Sequence, residues 1–153
     1  MADTTLLKAK VEPFVTAWLE GKYPSHTFSK RPLPVGSKRD GSLALHEFDA
    51  VSEDNSIVAV IKSHSGKTSG GKRPAGKIGM VYQELYFLTL VDAKLKLVIL
   101  TDEEFYGIFI KESEGKVAQD IEIHLCKLPG ELQREVDKVR QKASYEQTSR
   151  YSA

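Results

Sequence analysis

Residues His46–Ser63 read HEFDAVSEDNSIVAVIKS, and their pattern sets the centre of the fold. Ser42–Val51 (SLALHEFDAV) alternates with the two-residue period of a half-buried strand. Glu53-Asp54-Asn55 is a run of turn-forming polar residues. Ile57–Ile61 (IVAVI) is apolar on both faces, as a central buried strand requires. Two such runs joined by a short polar turn predict a β-hairpin. Side chains two apart share a face of a strand. Glu47 and Asp49 therefore point the same way, and so do Val60 and Lys62. Antiparallel pairing sets Asp49 close to the Val60–Lys62 region.

The other elements follow from the hairpin outward. Leu7, Val11, Phe14 and Trp18 recur at helical spacing, and Gly21 and Pro24 close that helix. Pro13 either kinks it or lies in the first turn of a helix starting near Val11. Residues 26–40 carry two prolines and a glycine and read as a short edge strand followed by a loop. Residues 64–77 (HSGKTSGGKRPAGK) form a glycine-rich basic loop. Ile78–Val91 is long and mostly apolar, which predicts a buried helix, and Leu95–Leu100 (LKLVIL) a buried strand. Thr101 and Glu104 have capping-box spacing before a short helix to about Lys111. Val117–Leu125 alternates as a strand. Pro129-Gly130 opens a last helix with Leu132, Val136 and Val139 on one face. Its acids come early and its bases late, which suits the helix dipole. The chain reads as one domain over residues 1–143, with a polar, frayed tail over 144–153. This element order predicts an α/β three-layer sandwich with a mixed central sheet flanked by helices.

Bulk composition narrows the classes. The chain has 153 residues, 41% hydrophobic and 28% charged, and a net charge of +1. It therefore has no global basic field, and any nucleic-acid surface must come from local clustering. The single cysteine, Cys126, permits no internal disulfide and fits a reducing, cytoplasmic setting. Its alternating context reads as a small buried hydrophobe. The N-terminus has no signal-peptide core, and no apolar run reaches membrane-spanning length.

Chemistry enters where Asp49 and Lys62 approach. Mg²⁺ or Mn²⁺ takes oxygen ligands, often one or two carboxylates plus substrate phosphate and water. A lysine beside such an ion can position water or stabilise charge on phosphate. Taken singly, Asp49 also fits a turn-flanking residue and Lys62 a strand end. The glycine-rich loop supplies Lys67, Lys72, Arg73 and Lys77 with no acid between His64 and Gln83. Such a loop suits contact with a phosphate backbone, or simply a solvated surface. Gly66–Arg73 (GKTSGGKR) approaches the nucleotide-binding pattern G-x-x-x-x-G-K-[ST], but Arg73 stands where the magnesium-binding hydroxyl belongs, which argues against a nucleotide site. Lys30, Arg31, Lys38 and Arg39 make a second basic cluster. His46 alternates away from Asp49, and His64 lies just past Lys62. No histidine spacing suggests zinc.

On these residues the chain resembles the PD-(D/E)XK restriction-endonuclease-like nuclease superfamily. Phe48-Asp49 is similar to that family's apolar residue and metal-binding acid, and Lys62 follows 13 residues on, where its lysine belongs. Gln83, Glu84 and Tyr86 stand on the next helix, which commonly adds polar site residues. The resemblance covers roughly residues 5–125 and implies a restriction-endonuclease-like core. The departure is Val60, which replaces the second acid. Glu84 is the first candidate to supply that charge, since some members move the acid to this helix, and Glu47 is the second. Glu12 or Glu20 of the first helix could also contribute. The resemblance implies a Mg²⁺- or Mn²⁺-dependent nuclease acting on DNA, with Asp49 and Glu84 as metal ligands and Asp49, Lys62, Glu84 and Glu47 as site residues. It implies a homodimer if both strands are cut. The rival is a non-catalytic domain on the same scaffold that binds nucleic acid or a protein partner.

Overall fold

The structure is a computed structural model in which residues 5–68 and 70–151 are described. A π-helical turn, Leu7–Val11, runs into α1, Glu12–Lys22. Pro13 sits in the first turn of α1, where its missing N–H is not needed. The hairpin is β2, Leu43–Ser52, and β3, Ile57–Lys62. The other elements are β1 (Phe28–Ser37), α2 (Ala75–Leu90), β4 (Leu95–Leu100), α3 (Glu103–Glu112), β5 (Ile121–Leu125) and α4 (Gly130–Tyr151).

The five strands form one mixed sheet in chain order. β1, β2 and β3 are antiparallel neighbours, and β3, β4 and β5 are parallel. The parallel pairs need crossovers, which α2 and α3 supply. β3 buries both faces, as its apolar run requires. Val58 and Val60 join Ile78, Val81, Phe105 and Phe109 on the α2/α3 side. Ala59 and Ile61 join Val11, Val15, Leu19 and Val136 on the α1/α4 side. Cys126 belongs to the second core, and burial pushes its thiol up to about 11. No helix among the described residues is long and apolar enough to cross a membrane.

Several boundaries differ from the sequence reading: β5 begins at Ile121 and not Val117, and α2 begins at Ala75, within the stretch read as a loop. β1 is a ten-residue edge strand and not a short one. Pro32 and Pro34 are tolerated because an edge strand has a neighbour on one side only. The N-cap of α3 is Asp102, not Thr101: its carboxylate accepts from Phe105 N. Thr101 is instead buried and extends the β3–β4 pairing by donating its N–H to Lys62 O at 3.2 Å. The segment from Ser144 continues α4 as far as Tyr151.

Candidate functional site

Asp49 owes its position to a bulge. Along β1, Ser29 pairs with Val51 and Arg31 with Phe48, so β2 carries one extra residue between these pairs. A bulge of this kind kinks the strand and re-aims a side chain. Its effect shows in the cores: Phe48 and Val51, three residues apart, face α2, while Ala50 faces α1. The β2–β3 ladder holds only Ala50↔Ala59 and Val51↔Val58. Past that point the Asp49 carboxylate takes over, accepting from Ile61 N at 2.7 Å.

The groups around Asp49 come from α1, β1 and β2. Lys30 Nζ lies 3.9 Å from Asp49 Oδ1, 3.8 Å from Glu47 Oε1 and 3.1 Å from Glu12 Oε2. Glu47 and Asp49 thus share a face. Asp49 and Glu12 are each about three-quarters buried, while Glu47 is exposed. Burial raises the Asp49 pKa above its ordinary value; the Ile61 hydrogen bond opposes this, Glu12 adds to it, and Lys30 and Lys62 oppose it. Burial lowers the proton affinity of Lys30, but Glu12, Asp49 and Glu47 outweigh it and hold the ammonium charged. Glu20 is engaged elsewhere, accepting from Phe28 N at 3.0 Å.

Lys62 has a different partner. It shares the face of Val60 and lies 3.7 Å from Glu84 Oε1 of α2. Glu84 Oε2 is 3.1 Å from His46 Nε2, and His46 stacks on Phe87 at 3.8 Å between centroids. His46 does face away from Asp49, and the apolar stripe of α2 leaves Glu84 a lysine and an imidazole as partners. The acid–amine pairs are therefore Asp49 with Lys30 and Glu84 with Lys62, on opposite sides of the sheet at the β2–β3 gap. In the sequence Lys30 stands only in a basic cluster with Arg31, Lys38 and Arg39, with no place in the fold. No local signal marks this meeting, because Lys30 falls opposite a bulge beside Asp49 that the strand pattern does not show.

The glycine-rich loop is partly tied down. Arg73 pairs with Glu112 of α3 in a short ion pair. Lys77 donates to Ser65 O at 2.8 Å and Lys67 O at 3.0 Å. Lys67 and Lys72 are exposed. An open groove of about 640 Å³ runs between this loop and α3, lined by Lys67, Lys72, Arg73, Glu104 and Lys111. Gly66 fixes the loop on α3: Asp102 accepts from Gly66 N at 3.0 Å and from Phe105 N at 2.9 Å. A Cβ on Gly66 would lie 2.9 Å from Phe105 N, so this glycine is required by close approach. Asp102→Ala is expected to cost about 1–3 kcal/mol, the loss of a cap plus an orphaned loop N–H. Gly66→Ala should cost a similar amount through overpacking. Thermal melts of both variants check this; unchanged melting would show that the loop is not latched.

Asp49, Glu84 and Glu47 do not form a three-ligand cluster. Among the described residues, the group whose ligand atoms all lie within 4.8 Å of one another is His26, Glu53 and Asp54. Turn chemistry accounts for it. Asp54 Oδ1 accepts from Ser56 N, Ser56 Oγ and Ser52 Oγ. These bonds hold the Asp54 carboxyl well below the usual range and shape the turn whose Asn55 has φ 64°. Five strand residues, about 16 Å, separate that turn from Lys62.

No family model matches the chain, and no curated protein or solved structure is significantly similar to it.

Proposed function

We propose that the chain is a metal-dependent nuclease-type domain with a restriction-endonuclease-like core, hydrolysing phosphodiester bonds of DNA. The observation that carries this reading is the largely buried Asp49 carboxylate, pinned at the strand gap by Ile61 N and sharing Lys30 with Glu12. Two carboxylates crowded in a partly buried site favour proton or cation uptake, and hard oxygen donors suit Mg²⁺ or Mn²⁺. Asp49 and Glu12 would hold the ion, with Glu47 reaching it from the exposed side. A bound divalent ion supplies polarisation of phosphate and acidification of a coordinated water.

The chain's own residues have separate tasks. Ile61 N–H fixes the rotamer of Asp49. Lys30, held charged by three acids, keeps an ammonium beside that carboxylate and offers it to phosphate. Lys62, oriented by Glu84, presents a second ammonium at the same end of the sheet. Lys67 and Lys72 of the exposed loop neutralise backbone phosphates further out. Here Glu84 is a positioning residue for Lys62 rather than the replacement for the acid missing at Val60.

One observation favours the second reading, a non-catalytic domain that binds nucleic acid. Each acid of the site already has a lysine within 4.0 Å, with Glu12, Glu47 and Asp49 sharing Lys30 and Glu84 holding Lys62, so every carboxylate has a cation partner without an ion. The two readings separate in an assay of linear, nicked and branched DNA with Mn²⁺ or Mg²⁺. The nuclease reading expects cleavage that is lost on chelation. Loss of one positioned charge-stabilising donor typically lowers the rate about 10²-fold, and this is the effect expected for Lys30→Ala or Lys62→Ala. Metal-independent binding without cleavage would establish the second reading.

A further inference from the structure

The segment Ser63–Lys67 leaves β3 directly after Lys62 and is gripped from three elements. Arg140 of α4 donates from Nη2 to Ser63 Oγ at 2.9 Å. Lys77 of α2 holds the Ser65 and Lys67 carbonyls, and Asp102 at the start of α3 holds Gly66 N. His64 lies inside this ring, edge-on to Phe105 at 5.6 Å. The place is the carboxyl end of parallel strands β3 and β4, where Lys62 pairs with Leu100. Open α/β sheets generally bind ligands at this end.

Cations outnumber direct ion-pair partners here: Glu84 reaches Lys62, and Asp102 is engaged by Gly66 N and Phe105 N. Lys62, Lys77 and Arg140 all act on His64; burial first, then these three cations, lowers its pKa to about 4, so the ring is neutral at pH 7. The ion pairs of the described residues include neither Lys77 nor Arg140. Their nearest acids, Asp102 and Asp137, act on them only at longer range. Two buried atoms of the cluster, His64 Nε2 and Arg140 Nε, have no hydrogen-bond partner. Buried polar groups are ordinarily paired, and each exception needs a reason. Lys77 uses two of its three donors and Arg140 one N–H of its five-donor fork, so several donors remain for a ligand.

We propose that Lys62, Lys77, Arg140 and His64 form a phosphate pocket at the carboxyl end of β3. Lys77 and Arg140, which no ion pair of the described residues engages, match a dianion, Lys62 adds a charge it shares with Glu84, and the guanidinium fork matches tetrahedral oxygens, with the His64 ring packed beside them. The phosphate is either a monoester, such as a strand terminus, or an internal phosphodiester. The pocket needs neither a metal nor cleavage, so it stands or falls separately from the nuclease reading.

The test follows the His64 ring by NMR in the full chain, titrated at pH 7 with sodium phosphate against sodium chloride of equal ionic strength. The pocket predicts a saturable, phosphate-specific shift of the His64 signals and a rise of about 1 unit or more in the midpoint of its titration. Arg140→Gln should weaken the response at least tenfold. Arg140 also tethers Ser63, so Lys77→Gln is the second variant, with melting curves to show that each folds. Short duplexes with 5′-phosphate or 5′-hydroxyl ends then compete for the pocket. Preference for the phosphorylated duplex identifies a monoester, and equal competition identifies the internal diester. His64 signals that do not respond to phosphate at roughly 100 mM, well above a millimolar Kd, would overturn the pocket.

Discussion

Asp49→Asn is expected to raise the melting temperature of the metal-free protein while removing its divalent-cation binding. The two effects have one cause. Asp49 is about three-quarters buried, and burial, reinforced by Glu12, lifts its pKa above the ordinary 3.8. The folded chain therefore holds this proton more tightly than the unfolded chain does. Stability from that difference is fully present below the unfolded value and is lost as pH rises through the raised folded value. At pH 7 the charged carboxylate is a net cost to folding. Asparagine removes the charge yet still offers an oxygen to Ile61 N, and Lys30 retains Glu12 and Glu47. A gain of about 1 kcal/mol, or about 2–4 °C at this size, is expected at pH 7 and should shrink toward pH 3–4. In Mn²⁺ the order should invert, because only the wild type gains stability from ligand binding. Cleavage, where the wild type shows it, should fall by at least about 10²-fold. Calorimetry in chelator and in Mn²⁺ reads both effects. A variant less stable than the wild type in chelator would make Asp49 a structural partner of Lys30 and Ile61, and nothing more.

Val60→Glu restores the acid that the nuclease pattern has two positions before its lysine, and it is expected to damage the protein without improving the site. Val60 is 1% exposed and lies among Phe48, Val58, Val81 and Leu85. Lys62, the nearest cation on that face, is already engaged by Glu84. Asp49 and Glu12 are on the α1 side, so a carboxylate at position 60 gains no shared ion. An unpaired charge buried there costs about 3–5 kcal/mol, which lowers the melting temperature by roughly 6–20 °C. Melting and Mn²⁺ titration of the variant decide the matter. A well-folded Val60→Glu protein that binds Mn²⁺ more tightly would place residue 60 and Asp49 in one site and restore the arrangement expected from the resemblance.

The central hairpin, the doubly buried β3 and the buried strand β4 are legible because strand period and apolar runs are local properties. Lys62 is legible as a strand end and Asp49 as an acid on its hairpin neighbour, and their partners are not. Equal alternation on both strands would have put the two side chains together. One extra residue in β2 breaks that arithmetic, and nothing in SLALHEFDAV marks it. The capping box in TDEE likewise has the right spacing in the wrong frame, since β4 pairing extends through Thr101 and shifts the cap to Asp102.

By itself the sequence determined the secondary elements, the mixed α/β layering and the absence of a disulfide, because each follows from periodicity or composition along one stretch of chain. Only the tertiary structure decided which amine meets which acid, and that Arg140, 77 residues beyond Ser63, reaches the end of β3. Such pairings depend on strand register and helix docking, which sum small packing preferences across the whole sheet and leave no mark in any short run of residues.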